Sequence, residues 1–525
     1  MSAGILSLSA TQEPLALSGA GLLGLVTTGM YDNPLSMYRE YIQNAADAAA
    51  ERSLSGRAGV NITIDVIRRR VRIRDNGPGL SREQAFERLL PIGRSSKRLG
   101  TDRGFRGVGR LAGLAFAKTV SFTTRSCRDE DVTRITWHSD HLPDITSTES
   151  ELERAILGCV DVETVPGTDY PNHFFDVDIR DVARHSAGLL LNRDAVRDYV
   201  SEVCPVPIST AFPFVDQVER LFDRTDAPLT LEVLLEGDTT PVVRPYGDSI
   251  RLSTVKEADF GEFQEIRIPS VDDTCEAAVG WIAHSSYLGA IPKEQRVRGI
   301  RVRVGNIQIG DEAVFDHLFV EERFNRWCVG EIHILDSRIV PNARRDYFQP
   351  GPHLRNLENQ LSPVVRSIST SCRRESTVRN RARRALSSLS DIEDLYTLAI
   401  SGYLTAGDST ELVQRALREI SELRKSLGNG ILDNSTLDRV DRAEHNLTAL
   451  SVGAEQNRFS GLTPSEVVVY QRVFRALAKL VSSPGSAREL IEMVFAEASG
   501  VAQGASAVDA DHGTGEPIPR LDGSG

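Results

Sequence analysis

The stretch from Met37 to Arg52 constrains this chain most. It has no glycine or proline and many alanines, so it reads as a helix. Glu40, Asn44 and Asp47 recur at spacings of four and three, which puts them on one helical face. Arg39 points about a third of a turn away. Tyr41, Ile42, Ala45, Ala46 and Ala48 are apolar and available for packing. A carboxylate, an amide and a second carboxylate in a row can hold a metal and activate a water. Alone, such a row is more often a solvated face, so the loops downstream of it carry the decision.

The 525 residues suffice for about three domains, and 40% hydrophobic with 26% charged residues is a globular composition. A net charge of −12 argues against general affinity for nucleic acid or anionic membranes, while leaving room for a local basic groove. The six cysteines are scattered with no C-x-x-C pair, which points to reduced thiols in a cytoplasmic protein rather than a disulfide or zinc framework. No leader pattern opens the chain and no stretch is long and apolar enough to span a bilayer, so no membrane association is expected.

Asn33-Pro34 marks a break, and Ser36 is placed to cap the helix. Val60–Ile67 and Val71–Arg74 alternate as two strands joined by the basic turn Arg68–Arg70. The second strand runs into Asp75-Asn-Gly-Pro-Gly79; Ser81 then caps a helix over 82–90, with Gln84 as its capping-box partner. Gly104-Phe-Arg-Gly-Val-Gly109 passes into an apolar helix at 111–116. Strands are expected at 119–124, 132–137 and 173–179, and a helix near 192–204. Because the order is not β-α-β-α, a Rossmann fold is disfavoured. Residues 211 to 350 are strand-rich, and from 353 onward the pattern is helical, with Leu412, Ala416, Ile420, Leu423 and Leu427 on one face and a capping box at Thr463/Glu466.

Three features thus share one region in fixed order: the Glu40/Asn44/Asp47 helix, the Asp75-x-Gly-x-Gly79 loop, and the Gly104–Gly109 loop. Each supplies a different part of a nucleotide site. Asp75 can accept from the adenine amino group, and Gly77 and Gly79 let the base approach the backbone. The Gly107–Gly109 amides can face phosphates. Asn44 offers an oxygen to Mg2+, whose other ligands are waters and substrate phosphates. Glu40 can orient and deprotonate the attacking water. For Asp47 a pocket-shaping hydrogen bond suits better than metal ligation.

These residues resemble the GHKL ATPases (gyrase, Hsp90, histidine kinases, MutL), and within them Hsp90 of the bacterial type. The likeness runs through Leu22-Leu-Gly-Leu-Val26, Tyr31-Asp-Asn-Pro34, Arg39-Glu-x-Ile-x-Asn-Ala-x-Asp-Ala48 and Arg74-Asp-Asn-Gly-x-Gly-Leu80. Ile92-Gly-Arg-Ser-Ser-Lys97 resembles the start of the family's ATP lid, and Gly104–Gly109 its second glycine box. Gly280-Trp-Ile, Arg298–Asp311 and Val329–Asp346 resemble the Hsp90 middle domain.

The resemblance implies an ATPase with ATP and Mg2+ at its site. Glu40 and Arg345 would be catalytic, Arg345 reaching the γ-phosphate from the middle domain with Arg344 as the neighbour that could substitute. Asn44, Asp47, Asp75, Gly77, Gly79, Leu80, Ser95, Ser96, Lys97, Gly104, Arg106, Gly107, Val108, Gly109 and Thr168 would bind ATP, and Asn44 the metal. Two departures stand out. Gly167-Thr168 lies a few residues too early for the strand that closes the adenine pocket, and Asn172 or His173 falls nearer that place. The lid is also unusually basic, somewhat like the MORC branch.

The expected fold is α+β: a Bergerat-type α/β sandwich ATPase domain over 1–205, an α/β middle domain over 211–352, an all-helical C-terminal domain over 353–500 available for dimerisation or partner binding, and a disordered tail over 501–525. The leading expectation is an Hsp90-like chaperone ATPase, a cytoplasmic homodimer closing on a protein client. The alternatives are a MORC- or MutL-like ATP-gated DNA clamp, supported by the basic lid, and an ATP-regulated interaction module of a bacterial stress or defence system.

Overall fold

The structure, a computed structural model, describes residues 33–51, 58–90, 109–139, 158–223, 230–342, 344–426, 434–450, 459 and 461–498. The expected lid and tail lie outside these. The chain forms two compact units, Met1–Glu375 and Ser376–Gly525.

Helix α1 (Ser36–Glu51) starts where the Asn33 side chain accepts from the Leu35 N–H at 3.0 Å. The Ser36 hydroxyl instead donates to the Asn33 carbonyl, so Ser36 is not the cap its position suggests. Strands β1 (Gly59–Asp65) and β2 (Arg70–Asp75) pair antiparallel, with Ile62 opposite Ile73 and Ile64 opposite Val71, as their alternation predicts. Helix α2 (Arg82–Leu89) carries both halves of the Ser81/Gln84 capping box. The segment Gly109–Ala115 is a 3-10 helix, not the expected α-helix. Tyr41 of α1 fixes it: its hydroxyl donates to the Arg110 carbonyl at 3.0 Å and accepts from the Gly113 N–H at 2.9 Å.

Strands β3 (Ala117–Arg125), β4 (Asp131–His138), β5 (Val160–Pro166) and β6 (Phe174–Val182) follow, then helices α3 (Arg184–Leu190), α4 (Arg193–Val203) and α5 (Val215–Asp223) and strand β7 (Glu232–Leu235). Strand β5 and helices α3 and α5 go beyond the expected elements. The sheet order is β5-β4-β3-β6-β2-β1-β7. All pairs are antiparallel except β1 with β7, where Val60 stands opposite Val233. The 1–205 domain therefore completes its sheet with a strand from beyond its expected end. On β2, Val71 and Ile73 enter the core while Arg70 and Arg72 point to the other face. There they pair with Asp178 and Asp176 of β6, each at 2.6 Å. This charged ladder supports the register that sets Asp75 opposite Phe175.

A second sheet comprises β8 (Ser249–Ser253), β9 (Lys256–Pro269), β10 (Glu276–Ser285), β11 (Gly299–Val304), β12 (Ile307–Ile309) and β13 (Val329–Ile334), in the order β12-β11-β13-β10-β9-β8. Helix α6 (Pro352–Ala399) covers one face with Leu354, Leu357, Leu361, Val365 and Ile368. Phe212, Val218, Leu221 and Trp281 fill the other. The first half of α6 thus packs into the core of the second sheet, across the expected boundary at 353.

A buried polar hub sits in the second sheet. Glu331, fully buried, accepts from Arg303 at 2.8 Å, Tyr246 at 2.8 Å, and also Arg244. Burial pushes its carboxyl up, but Arg244 and Arg303 outweigh that and hold it well below the usual range. Arg301 reaches Glu202, near the end of α4, at 2.5 Å, and Arg303 donates to the Glu202 carbonyl at 2.7 Å. The helix that packs against α1 is thereby bonded to the second sheet.

The second unit is helical: the remainder of α6, then α7 (Ala406–Ser426), α8 (Asn434–Ala449), α9 (Pro464–Leu480) and α10 (Pro484–Ala498). Leu412, Ala416, Ile420 and Leu423 are buried together, as their spacing predicts, and Thr463 caps α9 with Glu466; Leu427 lies outside the described residues. Among the described residues, no helix is long and apolar enough to cross a membrane.

Candidate nucleotide site

The rotation of α1 decides which side chains face outward. Met37, Tyr38, Tyr41, Ile42, Ala45, Ala46 and Ala49 are buried, and the Tyr38 hydroxyl donates to the Leu190 carbonyl at 2.7 Å. That leaves Glu40 and Asn44 partly exposed on the opposite side, while Asp47 is buried at 7% exposure. Arg39 is buried too and donates to the Glu40 carboxylate through Nη2 at 3.0 Å and Nε at 3.3 Å. A helical wheel separates these neighbours, but a guanidinium on its long arm folds back across that angle. Gly109 lies against the same carboxylate: any side-chain carbon there would collide with it.

Strand β2 ends at Asp75, whose carboxylate accepts from the Gly77 N–H at 2.8 Å. Burial pushes the Asp75 carboxyl up to about 7, the Gly77 N–H opposes this, and Asp176 adds to it. Gly79 has φ +63° and packs onto the carbonyls of Arg125 and Phe174, a conformation and space that suit only glycine. The Leu80 N–H donates to Thr124 Oγ1 at 2.8 Å, and that hydroxyl donates to the Phe174 carbonyl at 3.0 Å. His173 Nδ1 meets the Gly77 carbonyl at 2.7 Å. A side-chain carbon at Gly77 would also touch Ala48, so the loop lies beside the later turns of α1.

Two groups of residues therefore stand apart along α1. Glu40, Arg39 and Gly109 lie together near the start of α1, and Asp75, Gly77 and His173 near Ala48. Eight residues of helix separate Glu40 from Ala48, about 12 Å along the axis. Arg345 stands elsewhere, on a loop of the second-sheet domain with φ +58°. Its carbonyl accepts from the Gly310 N–H at 2.8 Å; Arg344 is exposed. Thr168 is exposed in the 3-10 turn Gly167–Asp169, and the place against the Asp75 loop goes to His173 instead. Ser95, Ser96, Lys97, Gly104, Arg106, Gly107 and Val108 lie outside the described residues. Among the described residues no cluster of three His, Cys, Asp or Glu side chains could hold a metal ion; Asn44 is partly exposed on α1.

Residues 36–156 match the family described as histidine kinase-, DNA gyrase B-, and HSP90-like ATPase. The chain carries an Hsp90-like GHKL domain. The chaperone protein HtpG of Shigella dysenteriae is 30% identical over 141 residues, covering 22% of this chain and 23% of the relative. The HtpG of Psychrobacter arcticus is 28% identical over 144 residues, covering 23% and 22%. The chain thus spans under a quarter of the length of these relatives. Within the GHKL domain, sequence reasoning set Arg39 aside and passed over Thr124. The adjacency of Arg39 to Glu40 was the available signal for the first; nothing local marked the second, whose role comes from β3 meeting β6.

Proposed function

We propose that this chain is an Hsp90-type ATPase that hydrolyses ATP to ADP and phosphate. The observation that carries the reading is the arrangement along α1, with a buried carboxylate loop beside its later turns and a carboxylate against a glycine near its start. Asp75 accepts from the adenine amino group. Glu40, held by Arg39, takes the proton from water as the water oxygen bonds to the γ-phosphorus and the bond to the β-phosphate oxygen breaks. Asn44 would hold Mg2+, a hard cation suited to its amide oxygen, and the ion would offset phosphate charge. Arg345 is the planar, permanent cation proposed to meet charge on the transferred group. On this reading the chain is a cytoplasmic homodimer whose closure on a protein client is reset by hydrolysis.

The test is a magnesium-dependent ATPase assay paired with nucleotide binding. Glu40→Ala should retain ATP and lose roughly 10²- to 10⁴-fold in turnover. Wild-type turnover in that variant would remove Glu40 as the base, and a wild-type chain that binds no nucleotide would end the whole reading.

One observation favours the DNA-clamp alternative. Arg381, Arg383 and Arg384 of α6 are exposed and make no ion pair among the described residues, despite the acidic whole. Binding to duplex DNA that weakens steeply with salt, and is lost when all three become alanine, would move the reading to that alternative.

A further inference from the structure

We propose that His173 is a positioning residue for the Asp75 loop, the base end of the proposed site, a role that rests on the nucleotide reading above. A backbone carbonyl only accepts, so the 2.7 Å contact between His173 Nδ1 and the Gly77 carbonyl assigns the proton to Nδ1. Gly77 is therefore held from both sides: its N–H by the Asp75 carboxylate at 2.8 Å, its carbonyl by His173. The Asp75 side chain lies against this residue and takes its orientation from that turn. A second tie, from Leu80 through Thr124 to Phe174, anchors the other end of the loop. Both ties come from the junction of β3 and β6. His173 is the residue immediately before β6, and the Arg70–Asp178 and Arg72–Asp176 ladder supports the β2–β6 register that carries it opposite the loop.

The imidazole does not itself bond to the nucleotide; it fixes the carboxylate that does. Removing the Nδ1–H frees the Gly77 carbonyl and lets the turn, and with it Asp75, relax. The expected signature is weaker nucleotide binding with unchanged chemistry once the site is filled, because Glu40 sits at the far end of α1.

The experiment compares His173→Leu, His173→Asn and Asp75→Asn in the full chain, with Mg-ATP as ligand and far-UV melting to confirm folding. An asparagine amide can occupy the Nδ1 position and donate to the same carbonyl. His173→Leu should raise Kd and KM about five- to tenfold, the worth of one hydrogen bond, with kcat within about twofold. His173→Asn should restore binding to within about threefold of wild type. Unchanged binding in His173→Leu, an equal loss in both His173 variants, or a fall in kcat without a change in KM would each overturn the proposal. If Asp75→Asn loses nucleotide while His173→Leu does not, only the role of His173 fails. If the wild-type chain binds no nucleotide, the underlying reading fails and takes this inference with it.

Discussion

Asp75 is a side chain whose chemistry is strongly altered by its place. Burial raises its carboxyl from 3.8 to about 7, so across that interval the folded chain holds a proton that the unfolded chain has released. Stability then falls as pH rises between these values, because the folded state is charged an increasing desolvation cost. Asp75→Asn removes that cost. The ligand-free variant should gain melting temperature over wild type progressively from pH 4 to 7, with a constant difference above pH 8; a difference that ignores pH would show an ordinary carboxyl. Gly109 gives a second prediction at this scale. Gly109→Ala places a methyl on the Glu40 carboxylate and must displace it. Turnover should drop up to about 10²-fold, the scale of an ångström's misplacement of a reacting group, while nucleotide affinity stays close to wild type.

Among the elements, those set by local pattern were legible. The buried side of α1, the Ile62/Ile73 hairpin, the Ser81 cap and the Leu412–Leu423 stripe all follow from spacing or capping chemistry. Those set by distant partners were not. The Gly109–Ala115 segment has the composition of a helix, but Tyr41 grips its first turn and the segment is 3-10. The strand-rich region beginning at 211 reads as belonging wholly to a middle domain, yet β7 joins the first sheet, because parallel pairing leaves no turn signal in the sequence. Of the candidate site, Glu40 and Asp75 stand out from motif alone, whereas His173 owes its place to cross-strand register. The buried hub was also invisible, since Arg244, Arg303 and Glu331 lie on different strands or segments. Glu331→Gln would leave two buried arginines short of their counter-charge and should cost about 3–5 kcal/mol, read by urea denaturation. A loss below about 1 kcal/mol would mean that the hub tolerates the missing charge.

At the scale of the molecule, the proposed chemistry is divided between two sheets of one unit. Glu40 stands on the first sheet's covering helix and Arg345 on a loop of the second-sheet domain. Arg345→Ala should therefore bind ATP much as wild type does and lose turnover by about 10³-fold. If turnover survives, Arg344→Ala decides whether the neighbour serves instead. The shared strand has a different consequence, in time rather than space. Strand β7 leaves the ribosome roughly 170 residues after β1, a delay of about 8 to 35 s at ordinary rates of synthesis. Through that interval the outer edge of β1 has no partner from β7, and it presents unpaired N–H and C=O groups to any extended neighbour. A nascent chain halted at residue 205 should aggregate, and one continued past β7 should not: a protein read as a guardian of other folds is itself exposed while it is being made.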